Sequence, residues 1–544
     1  MFQEPDYVHN VSLKLSDVLD DIGVDERTVL KRRRAYLLME SIDKTDSILV
    51  DKIFSVYYLG SLSEGTTTTG LNSDSDRLCC FNKCNMIQDW KDWQPGVLNL
   101  LMIQDESVSP GYCLLQSLRA DAPLPSICEH VFNECICEVI FFRDMTGRLF
   151  MRNSVLCDEL ASNLGRGIRH GPAFTQGGGV IDTDTVGALH CKSWPLQARQ
   201  WLDWQGVGQW PSVDMKRYCS NSGCFVVGVG SKGSQNEELE WRISTCFAER
   251  CLMFNLNITQ IRCYVLMKMI LKTYIKPHYE DTISSFMCKT VLLQLTANTQ
   301  SSFWRENNLL VCLSLCLSVL YNYILNENCP HFIIPGNNLM AGYISFESKP
   351  HILEILQYII NSKGTALLEI ECDDLGKLLQ LKLNTLCLVK IINSVSASLL
   401  EATAAIVQCT ICKSLISVRN SSDEITIRTL MKYLSKLVIL SQCQGLDKTT
   451  CSLLAPRFCT TLGSILASQN TGQNNGISEE ALTWISLGLN TDVSSGKLKL
   501  ASVFYCTGDV QKTETVLRDI ERCYDPNIVE PVCTCHNYIK QMYR

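Results

Sequence analysis

Gly60-Ser61, followed after twelve residues by Asp74-Ser75-Asp76, is the stretch of sequence that decides the fold. Residues two apart in a β-strand point to the same face, so Asp74 and Asp76 would present two carboxylates together. Such carboxylates repel unless a cation neutralises them, and proteins commonly hold Mg²⁺ by one or two carboxylates plus substrate phosphates. The Gly-Ser turn supplies unhindered backbone and a hydroxyl where phosphates can approach.

Sequence patterns on either side of this motif predict an α+β protein. Residues 25–58 have apolar side chains at mostly helical spacing, which predicts one long helix running into Gly60. Short β-rich runs between residues 97 and 188 predict a twisted sheet, and the spacing is helical again over residues 237–325. More helices are expected from His351 onward.

Composition favours a folded, soluble protein of the cytoplasm. Of the 544 residues, 46% are hydrophobic and 19% charged, which is typical of a globular chain. The 29 cysteines are spread through apolar helical stretches and no signal peptide opens the chain, so we expect reduced thiols. The net charge of −7 gives no general attraction to nucleic acid, so such binding would need a local basic patch.

An uncharged stretch, Asn307 to Asn326, is long enough to span a bilayer. Asn308, Ser314, Ser318 and Asn322 interrupt it, so we expect a buried core helix and no membrane partner.

Further motifs follow Asp74-Ser75-Asp76 in order: Gly171–Thr175, Asp184–Leu189, Ser193-Trp194-Pro195, Glu240–Ser244, Cys263–Lys268, Ser284–Thr290 and Cys329–Met340. Their order over residues 20–345 resembles the invertebrate type of the cyclic GMP-AMP synthase-like receptors and the male-abnormal-twenty-one (Mab-21-like) nucleotidyltransferases. The resemblance implies a bilobal, polymerase-beta-like fold with a sheet lobe and a helical lobe.

The same resemblance implies roles for individual residues. Asp74, Asp76 and Asp184 would be catalytic and would hold two Mg²⁺ or Mn²⁺ ions, with Asp182 as the alternative to Asp184. Nucleotide-binding residues would be Gly60, Ser61, Arg242, Ser244, Glu249, Lys268, Ser285, Phe286 and Lys289. The expected substrates are nucleoside triphosphates such as ATP and GTP.

Each residue also has a plainer interpretation. The Asp74 and Asp76 pair is also typical of a solvated edge strand, and Asp184 of a strand end at a turn. Arg242 would then be a surface cation of a helix, Lys268 a long side chain reaching solvent, and Phe286 part of the core.

The sequence departs from the DNA-sensing enzyme of this family at the zinc-binding thumb. Only residues 250–262 separate the relevant helices, with Cys251 and no histidine, so we expect no structural zinc. The basic run Arg32, Arg33 and Arg34, next to Lys31, is predicted as a patch for an activating ligand such as double-stranded RNA. A solvated helix face is the alternative.

We therefore expect three regions: a nucleotidyltransferase core with its N-terminal helix over residues 1–235, a helical lobe over 236–346, and a helical region over 347–544. A hairpin near 497–527 resembles a tetratricopeptide repeat, and these C-terminal helices would offer a surface to a protein partner. The predicted function is synthesis of a cyclic dinucleotide second messenger by a ligand-activated receptor of innate immunity. The alternative is a catalytically silent Mab-21-like scaffold protein.

Overall fold

The computed structural model describes residues 4–52, 54–127, 139–164, 167–177, 182–280, 282–384, 395–416, 422–472, 476–489 and 495–523. Its mixed helices and strands confirm the predicted α+β class. The strands are β1 (Phe54–Leu59), β2 (Ser75–Ile87), β3 (Leu98–Ile103), β4 (Tyr112–Leu118), β5 (Phe141–Arg143), β6 (Leu149–Met151), β7 (Ile168–His170), β8 (Ala173–Gln176), β9 (Thr183–Cys191), β10 (Cys224–Val227) and β11 (Glu240–Ser244).

The strands form one sheet in the order β1-β2-β3-β4-β11-β10-β9-β8-β7, with β5 and β6 beside β4. The first half of β2 also pairs in parallel with β9, from Ser75 opposite Thr183 to Phe81 opposite Leu189. This pairing closes the path from β2 through β3, β4, β11, β10 and β9 into a ring.

Eighteen α-helices accompany the sheet in the described part of the chain. They are α1 (Glu4–Asp21), α2 (Glu26–Leu49), α3 (Gly60–Glu64), α4 (Val155–Leu164), α5 (Arg199–Asp203), α6 (Val213–Ser222), α7 (Cys246–Phe254), α8 (Ile258–Ile270), α9 (Ser285–Asn298), α10 (Leu309–Leu325), α11 (Ser348–Asn361), α12 (Leu375–Leu383), α13 (Val395–Ile416), α14 (Asp423–Leu440), α15 (Leu446–Gly472), α16 (Glu479–Leu487), α17 (Ser495–Cys506) and α18 (Val510–Cys523).

The chain divides into two compact units, and the division into three regions stays a prediction. The first comprises residues 1–33 and 53–400, the second residues 34–52 and 401–544. Both predicted boundaries, 235/236 and 346/347, fall inside the first unit. The reason is a shared core: Trp241 of the sheet, Leu15 of α1 and Leu379 of α12 belong to one buried cluster.

The second unit has its own core, and the regular elements of its described residues are all helices. Leu430, Phe458 and Leu462 form its centre together with Ile42 of α2. Near its end, α17 packs against α18, so the described part of the predicted hairpin is helical. Residues 524–527 lie outside the described residues. The resemblance of this hairpin to a tetratricopeptide repeat stays a prediction.

Two predicted helices were wrong in part. The helix expected over residues 25–58 ends at Leu49, and residues 54–59 form β1 because they pair with β2. The helical region predicted over residues 237–325 begins instead with β11, which pairs with β4 and β10 and whose Trp241 is fully buried. Tertiary pairing decides both cases, since short apolar runs fit either structure.

Two segments of the described chain, Glu306–Leu325 and Val395–Lys413, are apolar and long enough to cross a membrane by length and composition. The first contains α10, whose Leu313, Leu317 and Leu320 lie in the core of the first unit. That packing agrees with the predicted core helix.

The basic run of α2 does not form the predicted ligand patch. Arg32 and Arg33 are only 1% and 5% exposed, whereas Lys31 and Arg34 face solvent. Arg32 donates to the carbonyl oxygen of Thr67 at 2.7 Å. Arg33 donates to the carbonyl oxygens of Glu64, Met253 and Phe254. Consecutive residues are about 100° apart around a helix, so half of the run points into the protein.

We expect Arg33→Met to destabilise the first unit by roughly 3 kcal/mol, because each buried acceptor left unsatisfied costs about 1–3 kcal/mol. Lys31→Met is the matched control on the exposed face of α2 within the first unit, and it should change stability by less than about 0.5 kcal/mol. Urea unfolding followed by tryptophan fluorescence measures this, since all tryptophans except Trp484 lie in the first unit. Equal losses in both variants would contradict the structural role of Arg33.

Candidate functional site

The parallel pairing of β2 with β9 brings two of the predicted catalytic aspartates together. Asp76 is the Cα partner of Asp184, and neighbouring strands lie about 4.8 Å apart. Asp74 comes directly before β2. Thr175 on β8 donates its hydroxyl proton to Asp184 Oδ1 at 2.6 Å, which orients that carboxylate. Asp182 lies just before β9, where its carbonyl oxygen accepts the backbone N–H of Ser75.

The electrostatics of these carboxylates favour a cation. Burial in the cleft and repulsion by Asp184 raise the pKa of Asp76 to about 7. Burial and repulsion by Asp184 and Asp182 also raise the pKa of Asp74, although Lys276 opposes the shift. Oxygen donors of this kind suit Mg²⁺ or Mn²⁺, which would relieve the repulsion.

The carboxylates do not complete a metal site alone. Among the residues that the structure describes, no three carboxylate, histidine or cysteine side chains are grouped closely enough to hold a metal ion. Bound ions would therefore need ligands from outside the chain, and phosphate oxygens commonly fill that role for Mg²⁺.

Gly60 makes room for Asp76. Its backbone has a φ of +69°, which favours glycine, and a Cβ built there would lie 1.8 Å from Asp76 Oδ2. The next residue, Ser61, accepts a hydrogen bond at Oγ from Lys268 Nζ at 2.8 Å. Gly60 and Ser61 therefore both contribute to the site: Gly60 leaves space for Asp76, and Ser61 binds Lys268.

A cavity of about 380 Å³ opens beside Asp74 and Asp76. Its lining includes three lysines, Lys268, Lys272 and Lys276, which recur every four residues along α8 and the turn after it. Burial lowers the pKa of Lys268 to about 7, so an anionic ligand would stabilise its charged form. Only Lys268 was predicted, and the regular spacing is the signal that could have identified Lys272 and Lys276.

Lys289, predicted to bind nucleotide, lies in a buried ion pair. Its Nζ donates to Glu64 Oε1 at 2.7 Å, and the two side chains are 9% and 3% exposed. Burial opposes its charge, but Glu64, Tyr264 and Glu249 together outweigh burial and raise the pKa of Lys289. Lys289 therefore pairs with Glu64, a buried partner that the sequence motifs do not reveal.

Arg242, Ser244 and Glu249 lie on two elements instead of the one predicted helix. Arg242 is exposed on β11 and Ser244 ends that strand, whereas Glu249 belongs to α7. Glu249 Oε1 accepts the hydroxyl proton of Thr245 at 3.1 Å, and burial raises the pKa of Glu249.

Ser285 and Phe286 begin α9 at the cavity. Ser285 lines the cavity, and the ring of Phe286 is half-buried, with its centroid 5.8 Å from that of His331. His331 Nδ1 accepts the N–H groups of Ile333 and Ile334, each at 3.0 Å. The sequence motif containing His331 had no assigned role, and the structure places it beside Phe286.

We expect His331 to make the first unit less stable in acid. Burial and the charge of Arg242 lower the pKa of His331 to about 4, from an ordinary value of 6.5. Between pH 6.5 and 4, the histidine is protonated in the unfolded chain but stays neutral in the folded chain. The stability that is present above pH 6.5 is therefore lost as the pH falls towards 4.

His331→Asn removes the titration and keeps a side-chain oxygen for the same two N–H groups. The drop in urea midpoint between pH 7 and pH 5 should therefore be smaller in the variant than in the wild type. An equal drop in both proteins would show that His331 titrates normally.

Residues 259–356 match the Mab-21 protein HhH/H2TH-like domain. No curated protein matches the chain. The matched segment starts in α8, ends in α11 and includes Lys268, Ser285 and Phe286, whereas the strands with the aspartates lie outside it. Over these residues the chain is similar to Mab-21 proteins, and the match covers less than half of the chain.

Proposed function

We propose that the protein is a metal-dependent nucleotidyltransferase that joins nucleoside triphosphates into a cyclic dinucleotide. The observation that carries this proposal is the register of β2 and β9, which sets Asp76 beside Asp184 next to a cavity lined by lysines. Carboxylates and lysines that line one cavity fit a triphosphate with its divalent ions.

In this proposal Asp74, Asp76 and Asp184 hold two Mg²⁺ or Mn²⁺ ions. Bound there, the ions would activate a ribose hydroxyl and neutralise charge on the leaving pyrophosphate. Lys268, Lys272 and Lys276, which line the same cavity, would bind phosphate oxygens. Ser61 would stay oriented by its hydrogen bond from Lys268.

The base would lie near the start of α9. The ring of Phe286 is half-buried and would stack on the base, and base stacking on aromatic side chains tolerates any base. Arg242, Ser244 and Glu249 would supply polar contacts to the base edges. Lys289 supports this arrangement indirectly through its ion pair with Glu64.

Activation by a ligand and a role in innate immunity extend the proposal and rest on the resemblance of the motifs. A nucleic-acid activator would have to contact cations other than the buried Arg32 and Arg33. A cytoplasmic location would fit the free cysteines among the described residues.

The decisive experiment is product analysis of purified protein with all four ribonucleoside triphosphates, Mn²⁺ and a panel of candidate activators. Mass spectrometry should detect a cyclic dinucleotide. Asp184→Asn should lower its rate of formation by roughly 100-fold or more, the scale on which loss of one electrostatic stabiliser lowers turnover.

Asp182→Asn is the matched control, because it removes a carboxylate only two residues away that does not pair with Asp76. Its rate should stay within a few-fold of the wild type. Equal losses in both variants would remove the assignment of Asp184. No product together with no nucleotide binding in titration calorimetry would overturn the catalytic proposal in favour of a silent scaffold.

A further inference from the structure

The loop between α3 and β2 carries Asp74 into the cavity. Its last residues, Leu71, Asn72 and Ser73, line the cavity directly before Asp74. Three cations hold its backbone carbonyl oxygens: Lys268 that of Thr66 at 3.0 Å, Arg32 that of Thr67 at 2.7 Å and Lys272 that of Gly70 at 2.6 Å. Polar contacts from distant parts of the first unit therefore fix this loop.

Asp373 supplies a fourth contact from beyond the matched domain, in the short turn Cys372–Asp374 before α12. Its Oδ1 accepts the backbone N–H of Gly70 at 2.7 Å, and its Oδ2 accepts the hydroxyl proton of Thr68. A Cβ at Gly70 would lie 2.8 Å from both the backbone nitrogen and Oδ2 of Asp373. Gly70 is thus held by Asp373 at its N–H and by Lys272 at its carbonyl oxygen.

The backbone at this turn adopts an unfavourable conformation. Asp373 and Asp374 have φ angles of +53° and +54°, in the left-handed region that residues with a Cβ avoid. The two carboxylates have different partners: that of Asp374 pairs with Lys377 at the surface. Only the Asp373 carboxylate reaches the loop, so the conformation of this turn directs it there.

We propose that Asp373 is a positioning residue for the reaction, acting through Thr68 and Gly70 to hold the loop that places Asp74 in the cavity. This inference rests on the proposed nucleotidyltransferase function. It adds that the chain beyond residue 356 is needed to complete the site, although Asp373 does not touch the nucleotide.

The test compares Asp373→Gly with Asp374→Gly. Each variant removes one carboxylate and places glycine where φ is already positive, so neither adds backbone strain. With ATP and GTP as substrates, Asp373→Gly should lower kcat by roughly 10- to 100-fold, since a small misplacement of a catalytic group has that effect. Its KM should change by less than about threefold. Asp374→Gly should resemble the wild type.

Hydrogen exchange at the Gly70 amide provides a readout that does not depend on activity. Because Asp373 accepts this N–H, its exchange should become faster in Asp373→Gly and stay unchanged in Asp374→Gly. Unchanged exchange in Asp373→Gly would show that Asp373 does not hold the loop.

If exchange becomes faster in Asp373→Gly but kcat equals that of Asp374→Gly, Asp373 does not position the site. A change in KM with kcat unchanged would also contradict the positioning role. An inactive wild-type protein would overturn the proposed function alone, because exchange at Gly70 would still decide whether Asp373 holds the loop.

Discussion

The parallel pairing of β2 with β9 is the interaction on which the candidate site depends. Its backbone ladder fixes Asp76 opposite Asp184, and a slip of one residue would turn one of them to the other face of the sheet. The close approach of Gly60 to Asp76 follows from the same arrangement, since β1 pairs with β2 on its other side and ends at Leu59 opposite Asp76. Two strand pairings therefore position both the carboxylates and the turn beside them.

Buried charge around α3 supports this arrangement. Glu64 ends α3, and its carboxylate pairs with Lys289 while its carbonyl oxygen accepts from Arg33. Burying such ions is unfavourable unless hydrogen bonds and opposite charges compensate. The cations that seemed available for ligands in the sequence are thus partly used to fix the short helix that follows β1.

Much of the site could be predicted because its signals are local. The spacing of Asp74 and Asp76, the Gly-Ser turn and the position of Asp184 before an apolar run are all visible in the sequence. Lys289 and Arg33 were misassigned because their partners, Glu64 and the carbonyl oxygens at the end of α7, are distant in the chain. A sequence pattern shows that a residue is charged, but long-range packing decides whether that charge faces a ligand or the interior.

The fold shows the same limit. Long periodic patterns predict helices such as α8 and α10 correctly. The same reasoning predicts helix for β1 and β11, because a short apolar run fits either structure and only pairing with neighbouring strands makes it a strand. The boundary expected near residue 346 stays a prediction, and α11 and α12, which follow it, belong to the same buried core as the sheet.

The contact between Asp373 and Thr68 spans 305 residues of sequence. At about 5–20 residues per second, a ribosome needs roughly 15–60 s to travel from one partner to the other. During that time β1, β2 and the lysines of α8 can already be outside the exit tunnel while the loop before Asp74 lacks its last anchor. A nascent chain would therefore complete this candidate site late in translation, well after the aspartates themselves have been made.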